Sequence, residues 1–176
     1  MTAVVRAATP ATLARHLAEL SALLVEAVGG GASLGFVAPL ALDDARDYWL
    51  SLRSEIVTGT RLLLVAEEDD RLVGAGQLAL PAWPNARHRA ELQKLCVAVA
   101  ARGRGIGRTL VSALHDAARA RGRSLILLNA RHDSAAERLY VSLGYRRVGV
   151  IPGHTLGPAG ERHDSVSLYR DLAKVE

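Results

Sequence analysis

The stretch Val99–Leu110, "VAARGRGIGRTL", sets Gly103, Gly105 and Gly107 among Arg102, Arg104 and Arg108. Placed between an apolar run and an amphipathic helix, these residue types suit one chemistry, the binding of a phosphate or diphosphate. Glycine lets the main chain approach an anion closely and adopt backbone angles closed to other residues. The first-turn N–H groups of the following helix lack intrahelical partners, and the helix dipole favours negative charge there. Arginine adds paired donors.

Two familiar phosphate loops are excluded. A Walker loop needs Lys-Ser/Thr directly after its second glycine, and no lysine follows here. A dinucleotide fingerprint needs a third glycine where Arg108 stands. It also needs an acidic residue about 20 positions on, where Leu127 and Leu128 lie. A disordered arginine-glycine RNA tract fits poorly, because aliphatic strands and a strong amphipathic helix bracket the loop.

The elements that must position this loop are readable from periodicity. Val4–Ala7 reads as a short strand. Thr9-Pro10 then caps a helix whose stripe is Leu13, Leu17, Leu20, Leu24 and Val28, ended by Gly29–Gly31. "LDDARDYWLSLRSEI" is a second helix with Asp43 and Asp44 in its first turn. "TRLLLVAEEDDRLVGAGQLAL" is a hairpin turning at Glu68–Asp70. "HRAELQKLCVAV" ends continuously apolar, as a strand buried on both faces would.

Beyond the loop, Leu110, Val111, Leu114 and Ala118 face inward on a helix ended by Gly122. "SLILLNA" is another buried strand, "SAAERLYVSLG" a helix, and "YRRVGVI" and "HDSVSLYRDL" two closing strands. The expected fold is mixed α/β, in the order β-α-α-β-β-β-α-β-α-β-β. The strands flanking the loop-borne helix are expected to lie parallel.

Composition bounds the rest. The chain has 176 residues, 49% of them hydrophobic, enough for one compact core, so residues 1–176 are expected to form a single domain. The lone Cys96 excludes an internal disulfide framework, no spacing of Cys and His calls for zinc, and no metal is expected. No apolar run approaches the length of a membrane span and no signal peptide is recognisable, so a cytoplasmic protein without a membrane partner is expected. The net charge is +4, and all basic residues but Lys94 and Lys174 are arginine. Acidic residues interleave with them outside Arg102–Arg108 and Arg119–Arg123, which argues against a nucleic-acid surface.

The pattern Arg/Gln-x-x-Gly-x-Gly/Ala, met by Arg102, Gly105 and Gly107, resembles the GCN5-related N-acetyltransferase (GNAT) superfamily, and so does its setting "LQKLCVAVAARGRGIGRTLVSAL". "SAAERLYVSLGY" is similar to a second signature of that superfamily. The resemblance spans about Arg61–Leu172. Within the superfamily, the stretch from "LLNARHDSAAERLY" onward looks most like the tabtoxin-resistance group of small-molecule acetyltransferases.

The resemblance implies a central twisted mixed sheet flanked by helices, acetyl-CoA as cosubstrate, and direct acetyl transfer to a primary amine. The acceptor would be a small molecule such as an amino acid, toxin or antibiotic, and the protein a monomer or homodimer. Acetylation of a protein N-terminus or lysine, or CoA binding by a regulator without catalysis, are the alternatives.

It also assigns roles. The diphosphate would rest on Arg102, Gly103, Arg104, Gly105, Ile106, Gly107 and Arg108. The main-chain N–H groups of Leu95, Cys96 and Val97 would pair with pantetheine and polarise the thioester carbonyl. Glu91 matches a strand-borne base. Tyr140 matches a tyrosine that protonates the departing thiolate, a transfer made sensible by ordinary pKa values of about 10 and 8.5. Asp133 stands where many relatives carry asparagine, which leaves three roles for it: a second base, a counter-ion for the amine, or the cap of the following helix. His132, His154, His163, Asp164, Trp83 and Trp49 could border the acceptor pocket.

Overall fold

The structure, a computed structural model, describes residues 3–173. Strand β1 (Val4–Ala7) leads into helices α1 (Pro10–Arg15) and α2 (Leu17–Gly29). A glycine-rich loop then precedes α3 (Leu42–Ser51) and α4 (Arg53–Thr58). β2 (Arg61–Glu68), β3 (Arg71–Ala79) and β4 (Arg89–Val97) form an antiparallel meander. Helix α5 (Ile106–Ala120) crosses to β5 (Leu125–Arg131), and α6 (Ala135–Ser142) precedes the hairpin of β6 (Arg146–Leu156) and β7 (Arg162–Asp171). The seven strands make one mixed sheet in the order β1-β2-β3-β4-β5-β7-β6, with β4 and β5 parallel as expected.

Continuous apolar strands are explained by the two layers they separate. Along β2, Leu62, Leu64 and Ala66 face the cluster under α5, which includes Leu110, Val111 and Leu114. Leu63 and Val65 face the opposite cluster, with Leu20, Leu24 and Trp49 from α2 and α3. Both faces of the sheet are thereby covered. Trp49 is buried, and its indole N–H donates to the Leu20 carbonyl at 3.0 Å, so it belongs to the core and not to a pocket wall. The β2–β3 turn runs through Asp69 and Asp70 at φ of 48° and 60°, the mirror-image turn that matches strand twist.

Two helices read as continuous are broken. The first stops at His16, whose ring is 2% exposed and bonded to Glu19 Oε2 and to Glu67 Oε1, each at 2.5 Å. The second breaks at Leu52, between α3 and α4.

The decisive feature for a site is where pairing stops. β4 and β5 share a ladder only over Arg89–Glu91 and Leu125–Leu127. Beyond it, β4 continues paired to β3 alone and β5 to β7 alone. The two strands part, and each presents one free backbone edge to the gap.

Candidate active site

The gap between β4 and β5 opens into a cavity of about 610 Å³. One wall is β4 itself, from Glu91 to Val97, and the other holds Asn129, Ala130 and Arg131 of β5 with Tyr140 of α6. Glu91 stands at the last shared rung of the ladder, at the floor of the split, and lines the cavity. Leu95, Cys96 and Val97 lie on the free edge with it. Their contribution is main chain: Cys96 turns its thiol into the core, 5% exposed, where burial pushes it up to about 12.

The edge is not straight. Lys94 adopts φ of +51°, and the register jumps from Ala75↔Cys96 to Gln77↔Gln93, a bulge that places an extra residue in β4. The Lys94 ammonium lies 5.1 Å from the Tyr48 ring centre and 5.5 Å from that of Phe36, within cation–π range. Burial and the nearby Arg61 lower its pKa, and Glu91 partly offsets them.

From Val97 the chain makes a short 3-10 turn, Val99–Ala101, and enters the arginine-glycine loop. Gly105 is the N-cap of α5 at φ +83°, in the left-handed region, and no side chain caps the helix. α1 and α6 are capped by Thr9 and Ser134, whereas α2, α3 and α4, like α5, have no side-chain cap. The longest helix therefore begins with its N–H groups open, and a Cβ built on Gly103 or Gly105 meets nothing within 4 Å. Such a start fits an anion.

The three arginines are held differently. Arg102 lines the cavity and donates from Nε to the Val97 carbonyl at 3.1 Å. Arg104 is bonded to Glu68 at 2.7 Å, which offsets its charge. Arg108 donates to Ser142 Oγ at 2.9 Å and ties α5 to α6. Ile106 is 4% exposed and anchors the helix in the core, leaving its N–H as its possible contribution. Gly107 faces Leu139, 3.4 Å from a built Cβ, and lets α6 pack closely.

Tyr140 is 5% exposed, lines the cavity and meets Tyr145 edge to face at 5.4 Å. Burial raises its pKa well above the ordinary phenol value. The hydroxyl therefore stays protonated but is a weaker acid than a free phenol, and the match with a thiolate is less close than ordinary values imply. Asp133 is placed elsewhere. It sits in a turn at φ +58° with its side chain 87% exposed, and does not line the cavity. Nor is it the helix cap: Ser134 Oγ accepts from the Glu137 N–H at 3.2 Å and fills that role.

Glu137, 1% exposed, accepts from Arg147 Nε and the Asp133 N–H, both at 2.6 Å, and bonds to His132 Nδ1 at 3.2 Å. Burial raises its pKa, but these partners more than offset it and hold it below the usual carboxylate range. His132, Asp133 and Glu137 bring ligand atoms within 4.8 Å of one another, yet Glu137 is already committed to Arg147. Of the other candidates, His154 lines the cavity and Trp83 is 75% exposed outside it.

Sequence reasoning missed Arg131, Lys94 and the loop Gly30–Gly35, all of which line the cavity. Arg131 ends a parallel strand, the place where open α/β sheets set ligand-binding groups. The same signal had pointed to Asp133, two residues on, which does not line the cavity.

Comparison with known proteins agrees with this geometry. The family model of the acetyltransferase (GNAT) domain matches residues 59–147. An uncharacterized N-acetyltransferase in the hisH-hisA intergenic region of Azospirillum brasilense is 35% identical over 93 residues, 52% of this chain and 54% of that protein. The chain thus spans about half the length of this curated relative. Among solved structures, the ribosomal-protein-alanine N-acetyltransferase from Brucella melitensis is 29% identical, with a TM-score of 0.77 over 96% of this chain and 99% of that one. A GNAT superfamily phosphinothricin acetyltransferase from Sinorhizobium meliloti, in complex with acetyl-CoA, is 23% identical, with a TM-score of 0.78 over 98% and 89% of the two chains. That likeness is one of fold. Among the described residues, no helix is long and apolar enough to cross a membrane.

Proposed function

The chain belongs to the GNAT acetyltransferase family, and we propose that it transfers acetyl from acetyl-CoA to the primary amine of a small molecule. The observation that carries the proposal is the parting of β4 from β5 above Glu91. It opens a cavity that joins Glu91, the free β4 edge, Tyr140 and Arg102, next to the uncapped start of α5.

When bound, acetyl-CoA supplies an activated acyl thioester. The residues divide the remaining work. The open N–H groups at the start of α5, with Arg102, hold the diphosphate. N–H groups on the free edge of Leu95–Val97 hold pantetheine and face the charge that develops on the carbonyl oxygen. Glu91 takes the proton that the attacking amine must lose, directly or through water. The new bond is C–N and the broken one C–S, and Tyr140 gives its proton to the departing sulfur.

Asp133 is given no part. We place the chain, as one domain, with the tabtoxin-resistance type, on the likeness of its residues from Leu127 onward, and in the cytoplasm. Acetylation of a protein N-terminus is the second reading, favoured by the 29% identity to the Brucella melitensis enzyme.

The test is acetyl-CoA turnover, read as CoA release and as mass of the acetylated product, across amino acids, other small amines, aminoglycosides and peptides. Acetylation of small amines is the expected result. Acetylation of peptides alone would establish the second reading, and acetyl-CoA binding without transfer to any acceptor would indicate a regulator.

A further inference from the structure

Arg131 reaches from the end of β5 between two cavities, the one of about 610 Å³ and a second of about 300 Å³. Its Nε is buried and has no hydrogen-bond partner. Among the described residues no carboxylate pairs with it, and the same holds for Lys94. An unsatisfied guanidinium N–H and a desolvated ammonium are costly to keep. Lys94 is partly compensated by the Phe36 and Tyr48 rings, whereas the Arg131 side chain lines both cavities with no acid among the described residues to neutralise it, which leaves its charge to a ligand.

Both cations lean on the α2–α3 loop, where that loop has no side chains. A Cβ on Gly31 would come within 3.8 Å of Arg131 Nη1, and one on Gly35 within 3.3 Å of Lys94 Nζ. Both glycines are left-handed, at φ of +83° and +80°. Charge on the cavity walls is divided to match. Among the described residues, Glu91 is the one carboxylate lining the larger cavity, and none lines the smaller. An amine approaching Glu91 would find cations, not acids, around the rest of its molecule.

We propose that the acceptor is an amino-acid-type amine whose carboxylate is held by Arg131, with Lys94 adding charge on the border of the same cavity. This rests on the acetyltransferase reading of the site. Arginine offers two parallel N–H donors to a carboxylate, which a neutral amide cannot match. Polycationic aminoglycosides would be repelled.

The test is binding, measured by calorimetry or ligand-observed NMR with the full chain and CoA present, so that no acetyl group can be transferred. The ligands are a panel of free amino acids, each paired with its carboxamide. At least one amino acid is expected to bind about tenfold or more tighter than its amide. Arg131→Gln is expected to remove that preference and Arg131→Lys to restore part of it. Equal affinity of acid and amide for the wild type, no binding by any amino acid, or an undiminished preference in Arg131→Gln would each overturn the proposal. The wild-type comparison stands even if a variant does not fold. If amino acids bind with this preference but are never acetylated, the acetyltransferase reading fails and the carboxylate site stands.

Discussion

Tyr140 and Tyr145 pack edge to face with ring centres 5.4 Å apart, while among the described residues the Tyr140 hydroxyl bonds to no protein atom. The ring belongs to the core and the hydroxyl is left to the cavity. Tyr140→Phe should therefore keep the fold and the affinity for acetyl-CoA. It should lower kcat by about a hundredfold, the lower range for loss of a positioned proton donor. Steady-state kinetics with calorimetry separates the two effects, and an unchanged kcat would remove Tyr140 from proton transfer.

Tyr145 leads to a second expectation. Its hydroxyl meets His115 Nε2 at 2.8 Å inside the core, and the His115 ring is 4% exposed. Burial, then Arg170 and Arg119, bring the His115 pKa down from 6.5 to about 4. The neutral ring is the folded form, and the unfolded chain takes up a proton at higher pH. The stability this contributes is present above about pH 6.5 and is lost as pH falls toward 4, in total about 3 kcal/mol. Melting temperature followed from pH 7.5 to 4 should show this loss, and His115→Gln should flatten it. Equal slopes in both proteins would contradict it.

Cys96 should be chemically silent despite lying beside the proposed carbonyl site. Its thiol is buried and pushed up to about 12, far from the thiolate that reacts. A thiol reagent is expected to label it only after denaturant is added. Intact mass after mixing with acetyl-CoA, without acceptor, should show no acetyl adduct. Rapid native labelling or an acetylated Cys96 would replace direct transfer with a covalent route.

Much of this arrangement was legible in local pattern. The strands flanking the loop announced themselves as apolar runs, and α5 by Leu110, Val111, Leu114 and Ala118, all buried. The open helix start followed from glycine chemistry alone. What was hidden depends on partners distant in sequence. The break at His16 is made by Glu67, 51 residues away. The bulge at Lys94 is a matter of register against β3, invisible in an alternating run such as "AELQKLCV". Arg131 gained meaning only when the parting of β4 and β5 placed it between two cavities. The cap reading of Asp133 fails because Ser134, one residue on, is an equally good cap and accepts from the Glu137 N–H, while Glu137 in turn accepts from the Asp133 N–H.

The most direct measurement is calorimetric titration of acetyl-CoA into the wild-type chain and Gly105→Val. Gly105 holds φ of +83° at the open start of α5, where a β-branched side chain is strained and would stand at the proposed diphosphate seat. Binding by the wild type, and loss of about a hundredfold or more in a Gly105→Val protein that still melts cooperatively, is the predicted result. Wild-type affinity in the variant, or no binding of acetyl-CoA by the unaltered chain, would contradict the assignment of this loop.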